Sequence, residues 1–363
     1  MEKIIFKAPI NSLSFGNVSY NILRELYKRN CAVSLFPVGD QVNLDAYKAD
    51  KDFNNWLKSS ADNRFLTIDK DIPTLQLWHL NGSEARLTRD SYLLTFYELD
   101  APTAEEQSLC ALHNATFFSS THARNLFKRG GSSNSEFIPM GFDEDFHVTG
   151  KTYLQNKIHF GLMGKLEKRK HTGKIIRAWA KKYGDNYDYQ LSCCITNPFF
   201  QPDQMNQAIG QILEGKRYGN INFLPYLKTN AEVNDFLNAI DIDLSGLSGG
   251  EGWNLPSFNA TALGKWSLVL NATSHKDWAT RDNAILIEPN GKEESEDGIF
   301  FKKGQIFNQG EIYTFDTEEV TSKMEEAESR CQQPNTKGLE LQKSFTYKQT
   351  VDRIFAAMGS DDK

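Results

Sequence analysis

Two stretches of the chain carry residue types and spacings suited to holding a phosphorylated ligand. The first is Ser245-Gly246-Leu247-Ser248-Gly249-Gly250-Glu251-Gly252-Trp253-Asn254-Leu255-Pro256, which places four glycines and one acid, Glu251, in a short loop. Glycine lets backbone amides come close to a ligand, and the free N–H groups of a helix start attract anions. The second is Gly164-Lys165-Leu166-Glu167-Lys168-Arg169-Lys170-His171-Thr172-Gly173-Lys174, with five cations in eleven residues. Cations at a helix start oppose the helix dipole, so their presence there calls for a bound anion, and fixed positive charge beside amides suits a pyrophosphate.

These loops need rigid elements to aim them. Apolar alternation over 240–244 predicts a strand entering the glycine loop, and a helix over 254–264 leaves it, with Pro256 in its first turn. The basic stretch follows a strand expected at 158–163 and precedes a helix over 174–182. The same strand, loop, helix theme runs from the N-terminus: strands at 3–9, 32–37, 74–79, 93–97 and 115–119, with Val18, Ile22, Leu23 and Leu26 on one face of a helix over 18–29. Such alternation predicts parallel sheets covered by helices, with ligands at the carboxyl ends of the strands.

The pattern restarts near residue 150. The expected organisation is an α/β protein of two Rossmann-like parallel-sheet domains facing a central cleft: residues 1–150, residues 151–340, and a final helix in 341–363 crossing back to the first domain. Strands are expected at 267–272 and 284–288, a surface loop over 289–311 and a charged helix over 317–330.

Composition limits the classes available. A chain of 363 residues with 39% hydrophobic and 12% aromatic residues supports two cores and is not a disordered chain. A net charge of −6 argues against a polyanion as main partner. The five cysteines, Cys31, Cys110, Cys193, Cys194 and Cys331, form no framework, which fits a reduced, cytoplasmic setting. No apolar run has signal-peptide or membrane-spanning length, so no integral membrane segment is expected, while peripheral membrane contact stays open.

Read together, the segments resemble the GT-B glycosyltransferases, specifically the retaining family-4 type. Gly164-Lys165-Leu166 stands where that family has Gly-Arg-Leu, with Arg169 and Lys170 near its lysine, and both basic positions hold the donor diphosphate there. Glu251-Gly252-Trp253-Asn254-Leu255-Pro256 is similar to Glu-Gly-Phe-Gly-Leu-Pro, so Glu251 inherits contact with the donor sugar. Phe137-Ile138-Pro139-Met140-Gly141-Phe142-Asp143 resembles the interdomain Ile-Pro-Asn-Gly-Val-Asp segment. Tyr97-Glu98-Leu99-Asp100-Ala101-Pro102 looks like the Glu-Thr-x-x-(x)-Pro variant of one branch. Phe15, Gly16 and Asn17 occupy the place of the first-domain glycine loop that closes over the diphosphate.

The resemblance implies transfer of a sugar, with retention, from a nucleotide diphosphate sugar to a hydroxyl acceptor, without a cofactor or required metal. Lys165, Arg169, Lys170, Gly16, Asn17, Gly250, Asn254, Leu255 and Asn259 would bind donor. Glu251 and Glu98 are the catalytic candidates, Glu98 on the acceptor side. Asn259 departs from the family, whose second glutamate, eight residues after the first, holds the ribose; an uncharged amide there would weaken that contact. The acceptor is a glycan or lipid-linked saccharide; a hydroxymethylated pyrimidine in DNA is the second possibility, and a non-catalytic sugar-nucleotide binder the third. Asp241 and Asp243 have the D-x-D spacing that binds manganese in the other major glycosyltransferase fold, but lie on a strand of buried type with too few convergent oxygens. His79, His113 and His122 lack zinc spacing, and His275, after a strand end, is a secondary candidate for the cleft.

Overall fold

The computed structural model describes residues 1–48, 50–150 and 153–359; positions 151–152, at the expected domain boundary, and the last four residues of the 341–363 segment lie outside them. The chain builds two six-stranded parallel sheets. In the first, β1 (Lys3–Ile10), β2 (Ala32–Val42), β3 (Thr74–Leu77), β4 (Ser91–Thr95), β5 (Ala115–Phe118) and β6 (Ser135–Phe137) run in the order β2-β1-β3-β4-β5-β6. In the second, β7 (Ile158–Met163), β8 (Tyr189–Cys194), β9 (Ile221–Phe223), β10 (Ile242–Gly246), β11 (Trp266–Leu270) and β12 (Ile285–Ile287) run β12-β11-β10-β7-β8-β9. Strands β3, β4, β5 and β10 are buried along their whole length, as a sheet covered on both faces requires.

Each order reverses at one point, between β1 and β3 in the first sheet and between β7 and β10 in the second. Crevices form outside the carboxyl ends of strands at such points, because the connections leave in opposite directions. The loops leaving β7 and β10 carry Lys165 and Glu251, and the loop leaving β1 opens into the helix Ser14–Lys28, whose first turn holds Gly16.

One expected surface loop is something else. Within 289–311, β13 (Gly291–Glu294) pairs antiparallel with β14 (Glu311–Thr314), and the residues between them lie across the first sheet's helices. Phe301 is buried among Leu80, Tyr97, Leu99 and Phe127. Thr103 Oγ1 donates to the Ile306 carbonyl at 2.7 Å, and Asn308 N–H donates to Glu106 at 2.9 Å. Charge and glycine content hid this strap, because only Ile299, Phe300, Phe301, Ile306 and Phe307 reveal it in sequence.

The helix Tyr347–Ala357 packs against the helix Ser14–Lys28, and Phe142 N–H donates to the Phe345 carbonyl at 2.8 Å. Among the described residues, no helix is long and apolar enough to cross a membrane.

Candidate active site

The glycine loop is held by backbone on both sides. Gly249 N–H donates to the Arg169 carbonyl at 2.9 Å, and Tyr313 N–H donates to the Gly249 carbonyl at 2.9 Å. A Cβ on Gly250 would lie 2.5 Å from the Glu98 carbonyl, and one on Gly252 would lie 2.6 Å from Phe96, so the loop touches the first domain where only glycine fits. Across the same seam, Ser119 Oγ donates to the Gly252 carbonyl at 2.7 Å, and Thr121 donates through N–H and hydroxyl to Asp277.

Asn254 adopts the left-handed conformation, with φ 66°, where the resemblance has glycine; asparagine is one of the few residues that tolerate it. Its side chain caps the helix Leu255–Ala262 by accepting from Ser257 N–H at 3.4 Å, and it donates to the Ser245 carbonyl at 2.9 Å. It therefore braces the loop and itself occupies the helix start, since Asn254 takes the Ser257 and Phe258 N–H groups and Pro256 has none. His275 stands behind it. Burial lowers its pKa to about 4, and the neutral ring donates from Nδ1 to the Leu270 carbonyl at 2.8 Å and accepts at Nε2 from Asn254 at 2.9 Å. His275 is thus corrected from a cleft residue to a buried support, because its strand-end position points it inward beneath the loop.

Charge concentrates where the two loops meet. Glu251 pairs with Lys170 Nζ at 2.6 Å and Arg169 at 3.1 Å, with its side chain 7% exposed. Arg169 also reaches Glu167 at 3.1 Å and, across the cleft, Glu98 at 4.0 Å. Lys165 meets Glu167 at 2.8 Å and lies 4.9 Å over the Phe300 ring of the strap. Burial opposes ionisation of Glu251, but Lys170 and Arg169 outweigh it and hold the carboxyl below its usual range. Burial also opposes a charged Glu167, yet Arg169, Lys170 and Lys165 keep it below that range. Glu98 goes the other way: burial raises its pKa, Arg169 offsets only part, and Glu251 and Glu167 add repulsion. Two carboxylates held ionised beside a third that resists ionisation is an arrangement suited to acid-base work or to positioning a hydroxyl.

The expected donor residues divide. Lys165 and Lys170 keep some exposure and pair with Glu167 and Glu251, whereas Arg169 is a buried hub whose guanidinium is held by Glu98, Glu167, Glu251 and the Gly250 carbonyl. Phe15, Gly16 and Asn17, expected in a glycine loop, instead form the first turn of the helix Ser14–Lys28, where Gly16 is needed because a Cβ would lie 2.2 Å from the Asn11 carbonyl. Asn17 turns its side chain away from the cleft and donates to Asp143 at 2.9 Å, because a buried acid there competes for it. Leu255 is partly buried against core side chains. Asn259 is 5% exposed, and its Oδ1 has no hydrogen-bond partner among the described residues. Asp243 is buried with Oδ1 accepting from Ser245 N–H at 3.0 Å, and Asp241 accepts from His159 N–H at 2.8 Å. Among the described residues no group of three or more His, Cys, Asp or Glu converges as metal ligands.

Sequence reasoning missed Glu167 as a partner of both cations, although it stands inside the basic stretch. It gave His79 no role, because its ring neighbour Phe15 comes from the helix Ser14–Lys28, far away in sequence.

The architecture matches solved structures along its whole length. Sucrose-phosphate synthase from Thermosynechococcus elongatus superposes with a TM-score of 0.70 at 10% identity, covering 98% of this chain and 100% of that one. HepE from Anabaena, solved in complex with UDP and glucose, gives 0.63 at 13% identity, covering 99% and 100%. A UDP-forming α,α-trehalose-phosphate synthase from Burkholderia xenovorans gives 0.65 at 11% identity, covering 99% and 99%. Neither a protein-family profile nor a curated protein sequence matches the chain. The fold is GT-B, with two Rossmann-like sheets.

Proposed function

We propose that the protein is a glycosyltransferase that moves a sugar, with retention, from a nucleotide diphosphate sugar to a hydroxyl of a glycan or lipid-linked saccharide. The observation that carries this reading is the buried Glu251–Lys170–Arg169 cluster at the switch point of the second sheet. Buried ion pairs add little to stability once desolvation is counted, so such a cluster in a cleft argues for a ligand. Two of the similar solved proteins bear UDP in their titles, HepE in complex with it and the trehalose-phosphate synthase as UDP-forming, so UDP is the first donor nucleotide to test.

In this reading the second domain binds donor and the first binds acceptor. The diphosphate takes the Lys170 and Lys165 ammonium groups and backbone amides of the glycine loop before the helix Leu255–Ala262. Glu251, released by Lys170, then accepts from a hydroxyl of the donor sugar while Arg169 stays paired behind it. As the glycosidic bond to phosphate breaks, these cations stabilise the leaving diphosphate, which is where negative charge develops. Glu98 orients the acceptor hydroxyl from the opposite wall, and a donor phosphate oxygen takes its proton. The Asn259 Oδ1, unpaired and close behind the loop, accepts from a ribose hydroxyl.

The test is thermal stability with UDP, GDP, ADP and their sugar conjugates, with and without magnesium, since a ligand bound only by the folded state raises the melting temperature. One nucleotide family is expected to raise it, and Lys170→Ala to abolish the rise. No rise with any of them would overturn the donor assignment.

A further inference from the structure

The carboxyl ends of β1, β3 and β4 bring four rings together: Phe15, Trp78, His79 and Phe96. Phe15 lies 4.5 Å from His79, 4.9 Å from Phe96 and 5.7 Å from Trp78, centroid to centroid. All four keep exposed surface, unlike core rings such as Phe6 and Phe117. They face the donor loop, because Phe96 is the side chain against Gly252. They also share space with Lys165: burial, and then the Lys165 charge, lower the His79 pKa to about 4.

His79 is therefore neutral at physiological pH, and among the described residues nothing hydrogen-bonds its ring. A neutral imidazole nitrogen on an apolar floor accepts from a hydroxyl. Partly exposed aromatic faces in a cleft take flat or half-apolar groups. A sugar ring joins both needs, with a C–H face for the rings and hydroxyls at its edge. Lys165, the cation whose charge acts on His79, is assigned above to the donor diphosphate, so an acidic acceptor would compete with the donor for it. Duplex DNA would need many cations along its path, which this wall lacks.

We infer that this ring cluster is the acceptor subsite and that it takes a neutral pyranose, its C–H face against Trp78 and Phe15 and one hydroxyl donating to His79. The assignment rests on the glycosyltransferase reading above and adds the acceptor class to it.

The experiment is a titration of tryptophan fluorescence and heat in the full chain saturated with UDP. The probes are methyl α- and β-glucopyranoside, methyl galactopyranoside, maltose and cellobiose, with a duplex carrying 5-hydroxymethylcytosine as the opposing ligand. At least one neutral sugar is expected to bind, with affinity about tenfold weaker in Trp78→Ala and in His79→Phe, largely kept in Trp78→Phe, and with UDP affinity unchanged in all three. Binding of no sugar, equal binding by Trp78→Ala, or binding of the duplex alone would overturn the assignment. Should UDP fail to bind the wild type, the donor reading falls by itself; the same titration without nucleotide then decides the ring cluster by the same comparison.

Discussion

Glu251 sits where one carboxylate neutralises two cations, and its substitution separates binding from stability. Glu251→Gln leaves Lys170 free for phosphate and removes the acceptor for a sugar hydroxyl. UDP affinity should hold or rise, while the extra affinity of the sugar conjugate falls about 10- to 100-fold. Lys170→Ala should weaken both equally; calorimetric titration that found Glu251→Gln weakening UDP itself would contradict the proposed exchange of partners. Glu251 is held below the usual carboxylate range, so its pairing stabilises the fold above the unfolded pKa and is lost as pH falls through the lower folded value. Acid titration of Glu251→Gln should therefore show a shallower loss of stability, from a neutral-pH value lowered by about 3–5 kcal/mol. Glu98 has the opposite sign. Its pKa is raised, so the folded state disfavours its ionisation at neutral pH. Glu98→Gln should melt no lower than wild type at pH 7 and yet transfer sugar more slowly, and a clear fall in melting temperature would show that Glu98 is structural.

The strap between β13 and β14 is an element that ties the second sheet's side of the molecule to the first sheet's helices. Its hold depends on Phe301 in the first domain's aromatic cluster and on Glu106, which accepts from both Tyr97 hydroxyl at 3.0 Å and Asn308 N–H. Removing a fully packed phenylalanine removes about 3–5 kcal/mol of packing. Phe301→Ala should let the 295–310 segment exchange its amide hydrogens faster, with little change in the core strands. Unchanged exchange there would mean the strap is held elsewhere. Glycines and lysines made this segment read as loop, since a strap anchored by a few apolar residues has no period to detect.

Across the whole molecule, segment 139–149 buckles the two sheets together. Asp143 and Asp145 both accept from Asn230 of the second domain, at 3.2 Å and 3.0 Å, while Arg24 of the first pairs with them at 3.3 Å and 2.9 Å. With this buckle and the Ser119–Gly252 seam, heat should unfold the chain as one transition. Asp143→Ala removes the acceptor shared by Asn17, Arg24 and Asn230, leaving Arg24 to Asp145, and should lower stability by about 1–3 kcal/mol. Differential scanning calorimetry should then resolve two transitions; a single, merely shifted one would mean that the seam alone couples the domains.

The repeated strand, loop, helix alternation was sufficient for the α/β class, because parallel strands buried on both faces impose local apolar runs. The glycine loop and the basic stretch were legible for the same reason: adjacent residues at one turn must share a site. Short strands such as β6 and β9, three residues each, left no such signature. What the tertiary structure alone decided is which charges face which. It assigned Arg169 to a buried hub, turned Asn17 toward Asp143, set His275 beneath Asn254, and gathered Phe15 of the first helix, the Trp78–His79 pair after β3 and Phe96 after β4. Those pairings join residues distant in the chain, and only the sheet order sets their distances.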